Sequence, residues 1–154
     1  MSMRYWAVTG YGIDEEELCP SVDSQIAFLK KYLPIQYGEM QEDGEDCKNY
    51  DMSNTSDYLD YCRGWIVDYE DAQGYTGFGA LFAMAIQENE DGFNPEYFCQ
   101  NGCGAIIYKD RLPWEMTDRV KNMKADDMSA IFQKYLDELG VSATIGRQSV
   151  EFFG

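Results

Sequence analysis

The side chains with chemical potential in this chain are 28 acids, 12 bases, 12 tyrosines and five cysteines; there is no histidine. Without imidazole there is no Ser-His-Asp or Cys-His mechanism, no histidine general base and no mixed Cys-His zinc site. The cysteines are Cys19, Cys47, Cys62, Cys99 and Cys103. Only Cys99-Gln100-Asn101-Gly102-Cys103 brings two of them close, whereas a structural zinc site usually takes its ligands as two close pairs. No lysine-rich setting surrounds Cys62 or Cys99 to lower a thiol pKa, so a cysteine nucleophile is not expected. The odd count, and an apolar start of only Tyr5-Trp6-Ala7-Val8 where a secretory signal needs about 7–15 apolar residues, predict reduced thiols in a cytoplasmic protein.

Other motifs fall short in definite ways. Gly10-Tyr11-Gly12 and Gly77-Phe78-Gly79 supply two glycines of a dinucleotide fingerprint, but Glu15 and Phe82 stand at the third position. Backbone freedom or close packing is the better account of both glycine pairs. Asp43-Gly44-Glu45-Asp46 and Asp68-Tyr69-Glu70-Asp71 lack the glycine and closing glutamate of a calcium loop. No phosphate-binding loop is present. The expectation is therefore no catalytic residue, no metal and no cofactor. A pocket lined by carboxylates and tyrosines would be the enzyme or small-ligand alternative, and a self-assembling structural protein a further one.

What distinguishes the chain is where its charge sits. The formal net charge is −16, and Glu39 to Asp71 holds 11 acids against Lys48 and Arg63, a local −9. Lys109 to Lys124 instead carries five bases and three acids. Tyr50, Tyr58, Tyr61, Trp65, Tyr69 and Tyr75 are interleaved with the acidic segment. Tyrosine supplies the flat, hydrogen-bonding area enriched in interface hot spots. Carboxylates three or four residues apart on a helix lie about 5–6 Å from one another and form a row. Asp57, Asp60 and Asp71 suit such a row; Asp68 and Glu70 share a face only if their segment is extended. The expected partner-binding residues are Asp43, Glu45, Asp46, Asp57, Tyr58, Asp60, Tyr61, Asp68, Glu70 and Asp71. The competing account is a solvated face that keeps a small protein soluble.

The elements that must position these residues follow from periodicity. Arg4 to Ile13 is aromatic and β-branched, a first strand. Val22, Ile26, Leu29 and Leu33 make a helical stripe that Pro34 should stop. Residues 38 to 54, with two glycines and six carboxylates, read as an acidic loop. A helix should start near Ser53 to Asp57; Trp65 to Tyr69 either continues it or forms a strand. Gly77 to Ile86 predicts a buried helix. Asn101-Gly102 predicts a hairpin over 96–109, and Met128 to Leu139 a helix ended by Gly140. The tail around Val150 and Phe152 alternates as a last strand. The predicted whole is one α+β domain over residues 1–154, with about four strands packed on three to four helices.

Leu112-Pro113-Trp114-Glu115-Met116 and Gln148-Ser149-Val150-Glu151 resemble the ends of small phage and mobile-element proteins of Gram-positive bacteria. The likeness covers the last third of the chain. Small acidic phage proteins include anti-restriction and anti-CRISPR inhibitors that mimic nucleic acid, which is analogy. Together with the charge, this leads to the expectation of a non-enzymatic acidic protein that occupies a basic nucleic-acid-binding site on a partner protein. Direct binding to nucleic acid or to an anionic membrane would be opposed by the sign of the charge.

Overall fold

A computed structural model describes residues 5–42, 50–72, 78–100 and 103–153. The β-branched and aromatic start forms strand β1, Tyr5–Asp14, which becomes an inner strand of a four-stranded sheet. It pairs on one side with β3 (Cys103–Lys109) and on the other with β4 (Ile145–Phe153), while β2 (Glu96–Gln100) flanks β3. The order is β2-β3-β1-β4 and every pairing is antiparallel. Successive residues alternate between sheet faces. Tyr11 and Ile13 lie opposite Tyr108 and Ile106 and join the main core, while Ala105, Ile107 and Val150 pack on the reverse face with Phe98 and Phe152. The expected hairpin is present, and it separates its two thiols. Cys99 pairs with Gly104 and Cys103 with Gln100, so Cys99 and Cys103 point to opposite faces.

Six helices are present among the described residues. Helix α1, Val22–Tyr32, begins where the Ser21 hydroxyl accepts the Ser24 N–H at 3.2 Å. Pro34 ends the stripe as expected, but it also opens α2, Pro34–Glu42. Proline lacks only an N–H that a first turn does not use, and its φ is already helical. The acidic loop expected over 38–54 is therefore corrected at its start. Residues 38–42 are helical, and Met40 is fully buried. Residues 43–49 lie outside the described residues.

Helix α3, Thr55–Ala72, starts where the Asn54 side-chain oxygen accepts the Asp57 N–H at 3.1 Å. Trp65 to Tyr69 continue this helix rather than forming a strand. Helices α4 (Gly79–Asn89), α5 (Asp118–Lys121) and α6 (Ala125–Leu139) complete the set, and α6 ends at Gly140 with φ of 75°. Of the predicted face of α6, Ile131, Phe132, Tyr135, Leu136 and Leu139 are buried, and Met128, at its start, is half-buried. Phe28 stacks on Phe82 at 5.9 Å and meets Tyr135 edge-on at 6.4 Å, joining α1, α4 and α6. Each buried phenylalanine contributes about 1.5–3 kcal/mol. No helix among the described residues is long and apolar enough to cross a membrane.

Two polar features hold the layers in register. A Cβ at Gly10 or Gly12 would fall on the carbonyl oxygen of Tyr108 or Ile106, so this glycine pair serves close strand approach. Beyond α4, the Glu90 carboxylate accepts from Tyr135 at 2.6 Å, Arg119 at 2.9 Å and Lys134 at 3.4 Å, tying the end of α4 to α5 and α6. Burial raises the Glu90 pKa, but these three donors outweigh it and hold the group below its ordinary value.

Gly12→Ala should therefore destabilise the domain by about 1–3 kcal/mol, the usual cost of forced overpacking, read from urea melts. Glu90→Ala should cost about 2 kcal/mol at neutral pH, as expected for charge-assisted hydrogen bonds. Because the folded Glu90 pKa lies below 4.5, its stabilisation is complete above that value and is lost as pH falls through the folded pKa. The gap between wild type and variant should close in acid.

Candidate functional site

The acidic segment resolves into one helical stripe. At 3.6 residues per turn, positions 57, 60, 64, 68 and 71 of α3 fall within about 80° of one face and span about 21 Å. Asp57 is half-buried; Asp60 and Asp68 are exposed. Positions 70 to 72 are helical, and Asp71 takes its place in the row by backbone position. With five acids against Arg63, α3 carries −4. Arg63 meets Asp60 at 3.1 Å, but both are more than half exposed, so the pair contributes at most about 1 kcal/mol. Asp51, just before the helix, accepts the Ser53 hydroxyl at 2.6 Å and the Ser53 N–H at 3.1 Å, which lowers its pKa and keeps it anionic.

A second stripe, centred about 130° round the helix from the acids, explains why they face outward. Tyr61, Cys62 and Ile66 are buried, and Tyr58, Trp65 and Tyr69 pack against that core. The Tyr61 hydroxyl donates to the Met40 carbonyl, and the Gln41 amide donates to the Tyr58 hydroxyl at 2.8 Å. These bonds seat the end of α2 on α3. Burial pushes the Tyr58 pKa up to about 12, so its hydroxyl stays protonated.

The expected site residues divide accordingly. Asp57, Asp60 and Asp68 come together on the exposed face, with position 71. Tyr61 is corrected: it is a core residue, and its hydroxyl is spent inside the protein. Tyr58 is half-buried and bonded to Gln41, so it braces the helix more than it offers contact area. Asp68 and Glu70 would share a face only in an extended segment; in the observed helix the two positions stand about 200° apart. Asp43, Glu45 and Asp46 lie outside the described residues. Gly64, in the centre of the acid row, was not singled out; nothing lies within 4 Å of a Cβ placed there. Its alignment with Asp60 and Asp68 follows from helical period once Trp65 to Tyr69 are helical.

Among the described residues no three Cys, Asp or Glu side chains gather as a metal ion would require. Among the described residues, cavities of about 640 Å³ and about 330 Å³ have a single carboxylate, Asp110, between their linings. Neither is the converging carboxylate pocket that general acid–base chemistry would need. The chain matches no family model, no curated protein and no solved structure.

Gly64→Ala should stabilise α3 by about 1 kcal/mol, the helix-propensity difference, since the added methyl meets no neighbour. A higher melting temperature with unchanged circular dichroism is the expected result.

Proposed function

We propose that this is a non-enzymatic acidic binding protein whose α3 face occupies a basic nucleic-acid-binding surface on a partner protein, as a counter-defence inhibitor of a phage or mobile element would. The observation that supports it is the alignment of Asp57, Asp60, Asp68 and position 71 on the outward stripe of one helix. Over about 21 Å, one strand of duplex DNA carries about six phosphates, and four carboxylates offer about two-thirds of that charge. A site built to accept dense negative charge would recognise such a row. Association would be steered and fast at low salt and would weaken as salt screens the charges. Gly64 leaves bare backbone between Asp60 and Asp68, so long basic side chains can reach both.

The test is capture from the natural host lysate on immobilised protein. Wild type should retain a basic nucleic-acid-binding protein at low ionic strength and release it to added duplex DNA or RNA. Four charges of the row at roughly 0.5 kcal/mol each sum to about 2 kcal/mol, so Asp57→Asn, Asp60→Asn, Asp68→Asn and Asp71→Asn together should weaken binding about 30-fold. Gly64→Trp should block it with every carboxylate kept. Retention that survives the neutralised row at physiological salt, or that nucleic acid does not displace, overturns the proposal.

A further inference from the structure

The cavity of about 640 Å³ lies between the sheet and the amino end of α6. Its size falls within the range of about 300–1,000 Å³ usual for small-ligand sites. Its apolar wall is Tyr11 and Tyr108 from β1 and β3, with Met116, Met123 and Met128 from α6 and the chain leading to it. Tyr108 is buried, whereas the three methionines and Tyr11 are only half-buried, so the wall is open to a ligand. Methionine side chains are adaptable and recur on surfaces that accept varied apolar shapes.

The charge of the lining is opposite to that of the chain. Acids outnumber bases 28 to 12 overall, yet Lys109, Arg111, Lys124 and Arg147 line this cavity against Asp110 alone. Asp110 is already neutralised: Arg147 grips it with two bonds of 2.6 and 2.5 Å, and the Thr9 hydroxyl adds a third at 3.0 Å. Lys109 and Lys124 form no ion pair among the described residues. The nearby Asp127 is engaged in capping α6, accepting the Lys124 backbone N–H at 2.8 Å. The Arg111 guanidinium lies over the Tyr108 ring at 5.5 Å, its Glu96 partner is 4.0 Å away, and its Nε is buried with no hydrogen-bond partner. A buried donor without an acceptor calls for one. So do two cations, Arg111 and Lys124, left on one cavity in a protein with so many acids to pair with.

We infer that this cavity is a second binding site, for a small organic anion with a flat apolar body. The body would lie among the methionines and tyrosines, and the anionic head would meet Arg111 and Lys124; Lys109, one residue on from Tyr108, belongs to the reverse face of the sheet. The inference does not rest on the α3 face, and neither site's failure bears on the other.

Anilinonaphthalene sulfonate, a flat apolar body carrying one anion, is a direct probe of the native full-length protein. Its fluorescence should rise and saturate at one site, and phenyl-naphthylamine, the same body without the sulfonate, should bind at least about tenfold more weakly. Lys124→Gln, at an exposed residue with no ion pair among the described residues, should reduce sulfonate affinity about threefold to fivefold without moving the urea midpoint, and Lys109→Gln on the reverse face should leave the affinity unchanged. Ala125→Trp, from an exposed lining position, should abolish binding with the charges intact. No saturable site, equal binding of the neutral probe, or unchanged affinity in the Lys124→Gln variant overturns the inference.

Discussion

A carboxylate is expensive to bury and a tyrosine ring is not, and that difference decides how α3 sits in this protein. Moving an uncompensated charge into the core costs several kcal/mol, far more than the net value of most surface contacts. The helix therefore docks by Tyr61, Cys62 and Ile66. The Tyr61–Met40 bond and the Gln41–Tyr58 bond then fix it against the end of α2. A helix turns as a rigid body. Once its inner stripe is seated, the positions of Asp57, Asp60, Asp68 and residue 71 are settled together. The acidic face is thus the mechanical counterpart of the core, placed by residues that never reach the surface.

Much of the architecture was legible because pattern and packing agree there. β1, α1, α6 and the 96–109 hairpin carry clean periods and strong punctuation, and the structure keeps each within a few residues of its expected bounds. The departures have specific causes. Pro34 is both a stop and a start, and composition alone reads only the stop. Residues 38–42 look like polar loop because a single apolar anchor, Met40, holds that turn of helix, and one residue makes no period. Trp65, Ile66, Val67 and Tyr69 have high strand propensity, yet the core contacts of Tyr61, Cys62 and Ile66 on either side favour helix; tertiary packing overrides local preference. The misplacement of Tyr61 has the same root. A tyrosine among aspartates looks exposed until the helix phase is known.

The remaining charge is used economically. Arg119 and Lys134 converge on Glu90, Lys31 meets Glu138 at 2.6 Å, and Arg147 holds Asp110. These bases are drawn to specific carboxylates that join separate elements; on α3, Asp60 is met by Arg63 of the same helix. With 12 bases for 28 acids, cation placement is the scarce quantity. Its distribution divides the molecule into a framework that is electrostatically cross-linked, an outward row left anionic, and a cavity beside α6 left cationic. Self-repulsion at −16 opposes compactness, and the aromatic core and the Glu90 network must offset it.

Gly64 is the residue of the outer stripe of α3 that the core does not account for. Mid-helix glycine is the poorest choice short of proline, and here no packing excuses it: a Cβ would meet nothing within 4 Å. Nor is it one of the glycines held at positive φ, which are Gly92 and Gly140 among the described residues. A helix selected for stability or solubility alone would carry alanine, glutamate or lysine there. Departures from local rules without a structural return concentrate where another molecule must come close. On this helix the departure stands midway along the acid row, between Asp60 and Asp68. Bare backbone at that point is what the proposed function would use, to admit the side chains of a second protein.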